Sequence, residues 1–182
     1  MEPYGTHVNR PPRLTKVLRW ACCCLLAIAA AAPAQEASED AYLVAGGRLG
    51  NLIALGESIA AVEGRFADVS PAPIAFPGFT VYAVRIMPPV LIAACDATGE
   101  VFHAELQHRD GESLKFATAQ GVGMASSEAD IVTAYGEPEE VREGTDDLLL
   151  LYPDQGLAFM IDRASRGVLT FATFKGDYMR CP

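Results

Sequence analysis

Histidine, tryptophan and positive charge are scarce in this chain. Its 182 residues hold three His, one Trp and 14 Lys or Arg against 23 Asp or Glu. A net charge of −9 sets the chain against nucleic acid and anionic membrane, whose phosphates it repels. The nucleotide and hydrolase fingerprints are missing too: there is no Walker loop, Gly-x-Gly-x-x-Gly turn, His-Glu-x-x-His or Gly-x-Ser-x-Gly. His103 and His108, five apart on one extended run, point to opposite faces and make poor chelators. The acidic run Glu137, Glu139, Glu140, Glu143, Asp146 and Asp147 lacks the alternating Asp/Asn ligands and central Gly of a calcium loop. Neither a cofactor nor a metal is expected.

The N-terminus carries a targeting pattern. Arg10, Arg13, Lys16 and Arg19 precede an apolar run from Trp20 to Ala32, and Ala32-Pro33-Ala34 supplies small residues for cleavage. The run is shorter than the roughly 20 apolar residues of a membrane span. Residues 1–34 therefore read as a signal peptide, 35–40 as a polar leader and 41–182 as one domain. Four of the 14 basic and one of the 23 acidic residues leave with the signal, so 10 remain against 22, a balance of −12. Cys22, Cys23 and Cys24 leave as well. In an oxidising compartment the remaining two, Cys95 and Cys181, are expected to pair and fasten the C-terminal tail to a strand.

The rest of the chain says nearly the same thing twice. Ser58, Val62 and Phe66 have counterparts sixty-nine residues later in Ser127, Ile131 and Tyr135. Each serine can cap a short helix whose inner stripe is the following apolar pair. After the first come Phe79–Ile86, Val90–Cys95 and Glu100–Gln107; after the second, Leu148–Tyr152, Leu157–Asp162 and Val168–Phe174. Alternation along Val101–Leu106 marks a sheet with one buried face. Ser70–Pro77, with Pro71, Pro73 and Pro77, reads as a loop that cannot be a central strand. The expected fold is α+β: two tandem units, about 47–108 and 115–175, each a short helix on a three-stranded antiparallel sheet, with a tail over 176–182.

The second unit, Gly121-x-Gly-Met-x-Ser-Ser-x-x-x-Ile131-x-x-x-Tyr135-Gly136-x-Pro138 followed by a Tyr-turn-Gly hairpin, resembles a helix–sheet repeat of bacterial periplasmic proteins. The beta-lactamase-inhibitory-protein-like fold carries that repeat in tandem, and the small lipoproteins of outer-membrane assembly carry it once. The resemblance implies architecture and an exported binding role. The first unit departs from it, having Ala67 where the motif has Gly.

The functional expectation is a non-enzymatic binding module, periplasmic or secreted, acting on another envelope or extracellular protein as an inhibitor or assembly factor. The acidic run Glu137–Asp147 is the candidate docking segment for a basic partner. Phe76, Phe79 and Tyr82 are core or partner anchors. The alternative is a small hydrolase using a strand-end carboxylate such as Asp96 or Asp162, although their matching places in the two units suit turns better.

Overall fold

The computed structural model describes residues 42–45, 47–107 and 111–182. The expected signal peptide, the leader and His108 lie outside the described residues. All described residues belong to one compact unit.

Two short helices form where the serines and apolar pairs place them. In α1 (Ile59–Arg65), the N-cap Ser58 side chain accepts from Ala61 N–H, and Val62 is the buried residue. Helix α2 (Glu128–Tyr135) begins with a full capping box. Ser127 Oγ accepts from Asp130 N–H, and Asp130 Oδ2 accepts from Ser127 N–H at 2.8 Å. It ends at Gly136, whose φ of +80° is the conformation glycine tolerates best. Ile131 is its fully buried side chain.

The expected pair of three-stranded sheets is not what forms. Eight strands make one antiparallel sheet: β4 (Val69–Phe76), β5 (Phe79–Val84), β6 (Val90–Cys95), β7 (Val101–Gln107), β8 (Glu140–Glu143), β9 (Asp147–Tyr152), β10 (Leu157–Asp162) and β11 (Val168–Phe174). Their spatial order is β4-β5-β6-β7-β11-β10-β9-β8. The protein is mostly β, and the α+β reading of two helices on separate three-stranded sheets is corrected accordingly. Two causes account for the difference. The Pro-rich Ser70–Pro77 stretch, read as a loop, forms edge strand β4 through Phe76, and the acidic run supplies edge strand β8. The halves then fuse, because β7 and β11 pair from Thr170↔Gln107 to Phe174↔His103 and satisfy each other's backbone.

Each helix start docks on the last turn of its own meander, a likeness between the halves. Ser58 bridges Glu100 between β6 and β7; Ser127 bridges Gly167 between β10 and β11. A small antiparallel sheet of β1 (Val44–Ala45), β2 (Arg48–Leu49) and β3 (Ile53–Ala54) adds Val44, Leu49 and Ile53 to the main core. On the helix side of the large sheet that core gathers Ile92, Leu106, Phe159 and Phe171 around Val62 and Ile131. The rings of Phe159 and Phe171 stack at 5.0 Å.

The second face, here the rear face, is also substantially buried. Phe79, Val81, Ala93, Cys95 and Phe102 form one cluster there; Leu151, Ala158, Ala172 and Phe174 form another. This explains the unbroken apolar runs in β6 and β9, since strands covered on both faces need not alternate. It also corrects the reading of β7. Ala93 pairs with His103 and Ala94 with Val101, so Phe102 is an extra residue in a bulge. Val101 joins the main core, and Phe102 joins the rear cluster.

Candidate functional site

The tail after β11 folds back over the rear face and makes it the most distinctive surface of the protein. Cys181 is bonded to Cys95, with Cα atoms 5.6 Å apart and 86 positions separating them in sequence. The pairing expected from the sequence is present, and such a bond marks an exported or extracellular chain. Met179 and Cys181 pack on the Phe79–Phe102 cluster, and Tyr178 on the Phe174 cluster. The Tyr178 ring lies edge-on to both His103 and Phe174, with centroids 5.3 Å away in each case. The Arg142 guanidinium sits 5.7 Å from that ring. Burial, with Glu105 nearby, pushes the Tyr178 phenol well above its ordinary range, so it stays protonated.

His103 lies beneath the tail, only 3% exposed. Its Nε2 is 3.4 Å from Glu105 Oε2, and its Nδ1 has no hydrogen-bond partner. A buried imidazole with one open nitrogen is uncommon, because desolvating a polar atom without a partner costs free energy.

The β4 end of the rear face carries exposed apolar side chains. Ile74 is 56% exposed and Phe76 is 39% exposed, and Phe76 stacks on the buried Phe79 at 4.8 Å. With Ala72, Thr80 and Asp96 they line a hollow of about 400 Å³. Pro71 and Pro73 lie in this edge strand and carry no N–H, and the β4–β5 register shifts between Pro71 and Ala75. Apolar side chains are thus displayed on an edge strand whose pairing is locally interrupted. Phe76 is the anchor-like member of the aromatic trio; Phe79 is core and Tyr82 packs against the main core.

The acidic run is gathered along the opposite edge, but it is not a free negative surface. Glu140 pairs with Arg142 Nε at 2.6 Å, and this guanidinium holds the Glu140 carboxyl below the usual carboxylate range. Glu143 pairs with Arg163 at 2.7 Å. Asp147 opens β9 and its carbonyl accepts from Arg163 Nε at 3.1 Å. Glu137, Glu139 and Asp146 are exposed. A short, charged edge strand limits edge-to-edge pairing with other chains.

Asp96 and Asp162 lie at matching strand ends, Asp96 just after β6 and Asp162 closing β10, but only Asp162 caps its turn. Asp96 Oδ1 accepts from the Thr80 hydroxyl at 2.8 Å. Asp162 Oδ1 accepts from the Ser165 hydroxyl and its N–H, both at 2.6 Å, which lowers the Asp162 pKa. Among the described residues, no group of three or more His, Cys, Asp or Glu is placed to hold a metal ion. No helix among them is long and apolar enough to cross a membrane.

Sequence reasoning named Phe76 as a possible anchor but missed Ile74, the edge strand that displays both, and the burial of His103. For the ledge the signal was available: a proline-interrupted apolar stretch beside a strand is permitted at a sheet edge. For His103 there was none, because its burial depends on a tail seventy-odd positions away.

No family model matches the chain, and no curated protein matches it in sequence. Among solved structures it superposes in part on a cysteine-rich secretory protein from Staphylococcus aureus subsp. aureus Mu50, at 11% identity and a TM-score of 0.45. The match covers 75% of this chain and 48% of that one, so the chain spans about half the length of that structure.

Proposed function

We propose that this chain is an exported, non-enzymatic binding module that engages another envelope or extracellular protein through the β4 end of its rear face. The supporting observation is the Ile74–Phe76 ledge, apolar side chains held in the open on a proline-containing edge strand whose pairing with β5 is interrupted between Pro71 and Ala75. The module acts in the periplasm or outside the cell after cleavage behind Ala34. The partner is basic near its contact residues: the chain after the signal carries −12, and Asp96 borders the ledge.

A photo-crosslinking residue in place of Ile74, introduced in the exporting cell, tests this reading. One discrete protein adduct is expected from position 74 and none from the exposed Glu63 on α1. Equal, diffuse labelling from both positions, or none from position 74, would overturn it.

A further inference from the structure

We propose that residues 175–182 are a redox-latched strap. A protein dithiol that opens Cys95–Cys181 lifts Tyr178 off His103 and uncovers the rear face, while the sheet and helices stay folded.

Backbone and covalent ties hold the strap to the sheet at its two ends, with Tyr178 and Met179 packed between them. Lys175 N–H donates to Phe102 C=O at 2.9 Å where the tail leaves β11, and Cys181 is bonded to Cys95 at the other end. Between them, Arg180 N–H donates to Asp177 C=O at 3.2 Å, a bond internal to the strap. The backbone turns through two left-handed positions, Gly176 at φ +74° and Met179 at φ +57°. Glycine adopts that conformation freely; a methionine there is held against its preference. Closure also seals His103 Nδ1 away from any partner, a penalty relieved when water reaches it. Two features of the closed strap thus oppose closure, while the packing of Tyr178 and Met179 and the covalent latch oppose release. The strap carries little of the fold itself, because Tyr178, Met179 and Cys181 pack on rear clusters separate from the main core.

The bond is placed for exchange from the solvent side. Cys95 is buried in β6, while Cys181 is only partly covered. A thiolate of the reductant attacks Cys181 Sγ, the S–S bond breaks, and Cys95 leaves as a thiolate that takes up a proton. The second thiol of the reductant then resolves the mixed disulfide and frees the Cys181 thiol. The reductant departs as its own disulfide, having passed two electrons to the protein.

Hydrogen exchange and modification of His103 by diethyl pyrocarbonate, both read peptide by peptide, test the proposal. They would be applied to the oxidised protein, to the protein treated with a dithiol, and to the Cys181→Ser and Tyr178→Ala variants. On reduction, and in Cys181→Ser, protection of the 176–181 amides should fall about tenfold or more, with His103 modification rising by a similar factor and β10 amides unchanged. Tyr178→Ala should raise His103 modification with the disulfide intact. A strap that stays protected with His103 unreactive after reduction would overturn the proposal. Loss of protection spreading into β10 would overturn it equally, because the bond would then be holding the fold.

Discussion

Helix α2 docks on the sheet through one fully buried side chain, which makes Ile131 a sharp test of how the halves are held together. Ile131 is 0% exposed and lies in the main core with Phe159 and Phe171. Ile131→Ala removes three carbons, worth about 0.8 kcal/mol each in transfer, or about 2.4 kcal/mol. The cavity left behind adds to that, because a sheet of paired strands cannot collapse onto α2, and the total reaches about 3–4 kcal/mol. For a domain of this size each kcal/mol moves the melting temperature by about 3–4 °C, so a fall of roughly 9–16 °C is expected. Ile131→Asp should be worse, placing an unpaired carboxylate under the sheet and leaving little folded protein. Thr133→Ala on the exposed side of the same helix should stay within about 0.5 kcal/mol. Urea unfolding followed by far-UV circular dichroism measures all three. An Ile131→Ala loss below about 1 kcal/mol would show that α2 is not docked as described, whatever the other variants do.

Three further outcomes are expected. A Cβ on Gly123 would collide with the Phe116 carbonyl oxygen, a backbone atom that cannot step aside, so Gly123→Ala should cost on the order of 2–4 kcal/mol in denaturant titration. The Ser127 N–H and hydroxyl hold the Asp130 carboxyl below its ordinary pKa, so its contribution is present above the usual Asp range and is lost as pH falls through the depressed value. Asp130→Asn should therefore flatten the acid limb of a stability-versus-pH curve, and an unaltered limb would refute the capping box. At the other extreme, burial pushes Tyr152 up to about 12, so the folded state keeps a proton that the unfolded chain loses near pH 10. Stability should drop between pH 10 and 12 and drop less in Tyr152→Phe, as thermal melts across that range would show.

Local chemistry was readable in the sequence and non-local pairing was not. Ser58, Ser127 and Gly136 are governed by backbone groups a few residues away, and both helices formed where those residues place them. The six expected apolar runs became strands for the same reason. The number of strands was missed because edge strands have weaker rules. Pro71 and Pro73 disqualify a central strand but not an edge one, and Glu140–Glu143 lacks any apolar alternation because most of it faces water. The β7–β11 junction was invisible, since nothing in either strand names its partner across more than sixty positions. Of the candidate site, the disulfide followed from counting cysteines in an oxidising context. The ledge and the covered histidine required knowing which way each side chain faces, and the bulge at Phe102 shifted that by one residue.

The junction at β7 and β11 bears on how the molecule comes into being. Of the large sheet, the four strands from Val69 to Gln107 emerge first during synthesis, with β7 as an open flank that becomes the middle of the finished sheet. Prolines blunt one outer margin of the mature protein and charges the other, yet neither shields this temporary flank. Until Val168–Phe174 arrives, the nascent half offers Val101–Gln107 to any passing strand, including the same segment of a neighbouring chain. A fragment ending after Gln107 should therefore self-associate through that flank, and the whole protein should be most prone to swapped dimers while it is still being made.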